Sequence, residues 1–200
     1  MRRQGLIFVI SGPSGSGKTT LLKNILRDKN LKKKLSRSVS LTTRPKRSGE
    51  FNKKDYFFVS EKQFKQGLKE KKILEWTRYL GYYYATPKGP VDRQLKTGKN
   101  VILCLDLKGA ERIRQLYPGN NVTIFVKPPT VGVLTHRIKN RCHKTQSEEI
   151  RERVKLARKE LLGARRYDYS LTNQDLECVT RELKDIISDN LMFKKKEGVI

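Results

Sequence analysis

No apolar run in these 200 residues approaches the ~20 residues that a helix needs to cross a bilayer, so a membrane protein is not expected. The apolar stretch Leu6-Ile7-Phe8-Val9-Ile10 follows basic residues but ends at once in glycine-rich sequence, too short for the core of a secretory signal. The expected location is therefore the cytoplasm. Cysteine is scarce: Cys104, Cys142 and Cys178 are odd in number, scattered and without C-x-x-C spacing, which excludes a disulfide framework and suits free thiols. Only His136 and His143 could add imidazole, and adjacent Cys142 and His143 fall short of the four ligands of a structural metal site. Acidic residues are also in short supply, 20 against 45 Lys and Arg, leaving a formal net charge of +25. Such a field attracts polyanions, so nucleic acid has to be weighed. The lysines at 32–34, 53–54, 71–72 and 194–196 are spread along the chain rather than gathered on a stripe with aromatics. The expectation is a solvated basic surface that also draws phosphorylated small molecules, with no specific nucleic-acid partner.

The residues that are present order themselves as an α/β chain. The run at 6–10 is continuous and β-branched, as in a parallel strand buried on both faces. Leu21, Leu22, Ile25 and Leu26 then recur at helical spacing, and 29–34 breaks the pattern into a polar surface segment. From 36 to about 84 the sequence turns polar, aromatic and basic, with short strands expected at 38–40 and 56–59, as in an inserted lobe. Buried-strand composition returns at 101–105 and 122–126, with a crossover helix over 110–116 and Pro128-Pro129 as a stop. An arginine-bearing segment at 137–146 precedes a helix start at Ser147-Glu148-Glu149, whose apolar face carries Ile150, Val154, Ala157 and Leu161. A short strand is expected at 169–172, then an amphipathic helix through Val179, Leu183, Ile186 and Ile187, and a frayed basic tail from 193.

Gly12-Pro13-Ser14-Gly15-Ser16-Gly17-Lys18-Thr19 fits G-x-x-x-x-G-K-[ST] and lies between an expected buried strand and an expected helix, where that motif works. Glycines let successive backbone N–H groups curl around phosphate oxygens, and the helix N-terminus adds partial positive charge. Lys18 is expected to reach the β and γ phosphates, and the Thr19 hydroxyl to bind Mg²⁺. These residues, with Thr20 beside them, are the expected triphosphate contacts. The loop specifies a nucleotide, not a reaction.

Further blocks narrow the reading. Ser40-Leu41-Thr42-Thr43-Arg44-Pro45-Lys46-Arg47-Ser48-Gly49-Glu50, Asp55-Tyr56-Phe57-Phe58-Val59-Ser60, Leu74-Glu75-Trp76, Gly81-Tyr82-Tyr83-Tyr84-Ala85-Thr86 and Asp106-Leu107-Lys108-Gly109 resemble, in order and spacing, the guanylate kinases. The resemblance runs from Gly5 to about Ile187. It implies a P-loop NTPase fold, a central parallel sheet flanked by helices, as one domain with a core at 1–36, 91–128 and 154–200. A GMP-binding lobe would occupy 37–90 and a lid 129–153. It further implies a Mg²⁺-dependent transfer from ATP to GMP or dGMP, by a monomer or homodimer. Guanine donates from N1–H and its amino group, so carboxylate acceptors and a hydroxyl select it over adenine, and Glu75, Asp106, Ser40 and Thr86 match those positions. Arg44, Arg47, Tyr56 and Tyr84 match the contacts to the GMP phosphate, for which guanidinium forks and phenols suit a dianion. Tyr82 and Tyr83 are expected simply to pack. Arg137, Arg141 and Arg153 match the arginines that close over the transferring phosphoryl group, and Asn173 matches the segment near adenine.

Three positions depart from the family pattern. Cys104 stands where an acidic residue usually precedes Asp106 by two, which predicts weaker metal binding. Arg141-Cys142-His143-Lys144 replaces the usual Arg-Gly turn and lengthens the lid by one residue, and Lys108 stands where Gln is common. Two other readings compete. A related P-loop kinase for another phosphorylated acceptor would have no use for the base-reading set Ser40, Glu75 and Asp106. A catalytically weak guanylate-kinase-like binding module would typically lack the intact loop.

Overall fold

The computed structural model describes residues 4–141 and 147–196. The strand β1 (Ile7–Ser11) is buried at all five positions, as its unbroken apolar run requires. Helix α1 (Lys18–Arg27) follows the glycine-rich loop and buries Leu21, Leu22 and Ile25 on one stripe. The segment read as a polar break is instead a short helix, α2 (Lys29–Lys34). The Asp28 carboxylate accepts from the N–H groups of Asn30 and Leu31, capping it, and Leu31 is its buried residue.

Strands β2 (Leu35–Arg37), β3 (Leu41–Thr42) and β4 (Phe57–Phe58) come next; the strand expected at 38–40 does not form, those residues being the link from β2 to β3. Helix α3 (Glu61–Lys69), not anticipated from its single buried Phe64, begins with a reciprocal box between Ser60 and Gln63. Strands β5 (Ile73–Tyr79) and β6 (Tyr82–Pro87) form a hairpin through Leu80 and Gly81, both at positive φ. After α4 (Lys88–Lys96), strand β7 (Asn100–Cys104), helix α5 (Leu107–Leu116) and strand β8 (Asn121–Lys127) fall close to expectation.

Helix α6 (Val131–Arg141) takes up the first part of the arginine-bearing segment, capped by the Thr130 hydroxyl, which accepts from the Val133 N–H at 3.1 Å. The departures Cys142, His143 and Lys144 lie outside the described residues. Helix α7 (Ser147–Leu162) begins where Ser147-Glu148-Glu149 predicted, and a 3-10 turn (Gly163–Arg166) leads to β9 (Tyr169–Thr172). Helix α8 (Leu176–Lys196) runs past 193, so the expected frayed tail is helical through Lys196.

The strands make a five-stranded sheet in the order β2-β7-β1-β8-β9 and a four-stranded sheet in the order β4-β3-β6-β5. In the first, β2 with β7 and β8 with β9 are parallel pairs. The chain divides into two compact units. One comprises residues up to Ile7, Leu35–Leu103 and Lys108–Asn121; the other comprises Phe8–Lys34, Cys104–Leu107 and the chain from Val122 onward. In the first unit Tyr83 stacks on Phe64 with ring centroids 4.7 Å apart, and Trp76 meets both edge-on, so Tyr83 packs as expected. Tyr82 does not: it is an exposed residue. In the second unit α1 packs on α8, and α6 on α7 through Leu134, Ile138 and Ala157. Among the described residues no helix is long and apolar enough to cross a membrane.

Candidate active site

The second unit holds the glycine-rich loop. Gly12, Gly15 and Gly17 have φ of 140°, 87° and 96°, a region that side chains with a Cβ rarely adopt. Space is as restrictive as backbone angle, because a Cβ on Gly12 would lie 2.2 Å from the Val126 carbonyl oxygen. The loop is thus seated on the end of β8. Ser11 closes β1 by donating from Oγ to the Leu105 carbonyl at 2.7 Å, which holds the strand end beside the residue preceding Asp106. Lys18 Nζ donates to the carbonyls of Gly12 and, at 2.9 Å, Pro13. Ser16 is fully buried, and among the described residues its Oγ has no hydrogen-bond partner. Thr19 and Thr20 are exposed on the first turn of α1.

Helix α6 lies against the same loop: a Cβ on Gly15 would meet Leu134 and Ile138 at 3.2 Å. Arg137, one turn from Leu134, reaches the Asn173 carbonyl with Nη2 at 3.4 Å. Arg153 on α7 is buried, 8% exposed. Arg141 is the last residue of α6, and its side chain lies outside the described atoms. Asn173 is itself buried, and its side-chain amide donates to the Ser16 carbonyl at 2.7 Å.

One residue passed over in the sequence joins this group. Glu160 follows Arg153 by two turns and Ala157 by one, so it shares their face of α7. Leu107 packs within 2.9 Å of a Cβ built on Gly163, which places the end of α7 against the residue after Asp106. Burial pushes the Glu160 carboxyl up to about 7, with Lys18 pulling it down and Asp106 pushing it up. The signal in the sequence was the spacing from Arg153, hidden among the many charges of α7. A raised carboxyl stabilises the fold while protonated, so its contribution is present below the ordinary value of 4.5 and is lost as pH rises through about 7. Glu160→Gln cannot ionise and should flatten that loss, by at most about 3 kcal/mol between about pH 5 and about pH 8. Denaturant midpoints of the two proteins at both pH values check this; parallel pH dependence would contradict it.

The first unit holds the arginine-and-tyrosine lobe. Arg44 is only 7% exposed, with Nη2 donating to both Glu50 oxygens at 2.7 and 3.0 Å and Nη1 donating to the Pro45 carbonyl at 2.7 Å. Its guanidinium lies 5.6 Å from the Tyr56 ring centre and 5.8 Å from that of Phe58. Glu50 also accepts from the Arg47 N–H at 2.8 Å, so one carboxylate shapes the turn that carries both arginines. Burial pushes the Glu50 carboxyl up, but the Arg44 fork and the Arg47 N–H outweigh it and hold it below the usual range. Tyr56 and Tyr84 meet edge-on at 6.0 Å. Glu50 was quoted in the sequence without a role; its position three after Arg47 was the available signal.

Across the β5–β6 hairpin Glu75 stands opposite Thr86, and the Thr86 hydroxyl donates to Glu75 Oε1. Both are buried, at 7% and 1% exposed. Ser40 is half-buried beside β3, its carbonyl accepting from the Phe57 N–H. The lobe therefore brings together Arg44, Tyr56 and Tyr84 in one aromatic-cationic cluster and Glu75 with Thr86 in a buried polar pair.

A family model described as guanylate kinase matches residues 4–190. The guanylate kinase of Lactobacillus johnsonii is 43% identical over 188 residues, which cover 94% of this chain and 90% of that protein. That of Lactobacillus acidophilus is 42% identical with the same coverage. Among solved structures, the guanylate kinase of Anaplasma phagocytophilum superposes with a TM-score of 0.75 at 27% identity, covering 95% of this chain and 88% of that one. On the loop, the lobe and these likenesses together, the chain belongs to the guanylate kinase family.

Proposed function

We propose that the protein transfers the γ-phosphoryl group of ATP to GMP, releasing ADP and GDP. The observation that carries this reading is the buried Glu75–Thr86 pair, an acceptor-bearing polar site in a chain that also has an intact phosphate-binding loop. A carboxylate held in place by a neighbouring hydroxyl suits the N1–H and amino donors of guanine, and adenine would leave it unpaired. Ser40 and Asp106 complete the base-reading set. Arg44, Arg47, Tyr56 and Tyr84 hold the acceptor phosphate, and Glu50 keeps the two arginines in register.

On the donor side, Gly12 to Thr20 cradle the triphosphate and Lys18 exchanges its loop carbonyls for β and γ oxygens. Arg137, Arg141 and Arg153 offset charge on the group in flight and, with α6 over the loop, keep water from it. The oxygen donors here suit Mg²⁺, with the exposed Thr19 hydroxyl as protein ligand and phosphate and water supplying the rest. Cys104, a thiol, adds nothing to such a hard-ion site. Bound with ATP, Mg²⁺ neutralises part of the β and γ charge. We place the reaction in the cytoplasm, a reducing compartment that suits thiols such as Cys104 and Cys178 outside disulfides.

Coupled ADP release with GMP, AMP, UMP and a sugar phosphate tests the reading: GMP should be turned over far faster than the rest. Equal turnover of AMP or the sugar phosphate would sink it. Glu75→Gln exchanges an anionic acceptor for an amide, and the GMP/AMP preference should fall by on the order of 1 to 3 kcal/mol. An unchanged preference would remove Glu75 from the base-reading set.

A further inference from the structure

We infer that Asn173 is the positioning residue of the phosphate-binding loop, its buried amide bracing Ser16 and Gly17 in the cradle conformation while its carbonyl ties Arg137 to them. This rests on the reading of the loop as a triphosphate site. The family resemblance associates Asn173 with adenine; the geometry gives its amide a different task.

Asn173 is 5% exposed and pinned at both ends. Its backbone N–H donates to the Lys127 carbonyl at 2.7 Å, the bond that closes the parallel β8–β9 ladder at its last pair, Lys127 with Thr172. From there the side chain crosses to the loop and donates from Nδ2 to the Ser16 carbonyl at 2.7 Å. A trans peptide points its C=O and the next N–H to opposite sides. Fixing the Ser16 carbonyl on the Asn173 side therefore fixes the Gly17 N–H on the other.

Gly17 confirms how tightly the amide is fitted. A Cβ built there would lie 2.1 Å from Asn173 Nδ2, so the amide fills the space that any side chain at 17 would need. The glycine of the motif is thus required twice, by its φ of 96° and by Asn173. The same residue's carbonyl accepts from Arg137 Nη2 at 3.4 Å, the long limit of a hydrogen bond, so loop and α6 share one anchor. An aspartate at 173 would present oxygen to the Ser16 carbonyl and invert the contact from attraction to repulsion.

The experiment is calorimetric titration of the full chain and of Asn173→Asp and Asn173→Ala with ATP, inorganic tripolyphosphate and GMP, with circular dichroism on each protein. Both variants should lose about tenfold or more in affinity for ATP and tripolyphosphate alike, Asp more than Ala, with GMP affinity unchanged. Loss for ATP alone would assign the amide to the base and overturn the brace. Unchanged affinities, or equal loss for GMP, would overturn it too. Should Asn173→Asp unfold, Asn173→Ala decides by the same comparison. A wild-type chain that binds neither ATP nor tripolyphosphate overturns the loop reading and the brace together, whereas wild-type binding with unaffected variants overturns the brace by itself.

Discussion

Replacing Lys18 by alanine should lower the rate of phosphoryl transfer by about 10³-fold or more and leave the chain folded. The two effects separate because of where the ammonium sits. It donates to the loop carbonyls of Gly12 and Pro13 from a half-buried position on the first turn of α1, within electrostatic reach of Glu160. Losing those contacts should change stability by only about 1 kcal/mol. The transfer step loses far more, since a positive charge placed before the reaction requires no reorganisation as charge shifts from the γ-phosphoryl group to the leaving oxygen. Turnover at saturating ATP and GMP, read beside thermal unfolding, checks both halves. Near-normal turnover would remove Lys18 from the transfer step.

Arg44→Met should raise the KM for GMP by about 10²-fold, through loss of a bidentate donor to the acceptor phosphate. It should also destabilise the lobe by about 1–3 kcal/mol, because Glu50 loses the fork that holds it while its side chain stays 19% exposed. A second change distinguishes these. Adding Glu50→Gln removes the uncompensated carboxylate, so the double variant should regain stability without regaining GMP affinity. If stability and KM recovered together, Arg44 would be a scaffold residue rather than a phosphate ligand. Because Glu50 is held below the usual carboxylate range, its pairing contributes stability above the ordinary value of 4.5 and loses it as pH falls through the depressed value. The Arg44→Met variant should accordingly show a smaller loss of stability on acidification than the parent.

The elements that could be read in advance are those whose local pattern and tertiary setting agree. β1 is a run of apolar residues up to Ser11 and β8 one broken inside only by Thr123, and the sheet buries both on both faces. α7 announced itself by a polar start and a regular apolar stripe. Helices α2, α3 and α4 were not anticipated, being short and mostly polar. α2 buries Leu31, α3 Phe64 and α4 only Val91 and Leu95, too little to make a period visible, and α2 and α3 each depend on a cap supplied from outside, Asp28 or Ser60. Capping signals are brief, and Ser60 with Gln63 is easily lost in polar sequence.

The site divides along a similar line. The sequence by itself determined the loop, because a strand, three glycines and a Lys-Thr pair in register leave the backbone few alternatives. It also determined which residue types were on hand to meet a nucleotide, since motif order survives without coordinates. Tertiary structure decided which of them meet. Glu75 and Thr86 become neighbours only through the register of the β5–β6 hairpin, Glu160 comes under the influence of Lys18 and Asp106 only when α7 folds back, and Asn173 reaches Ser16 across 157 positions of chain. Local pattern carries backbone preference, but these contacts depend on how distant segments pack, and a buried amide or carboxyl acquires its role from the neighbours that packing supplies.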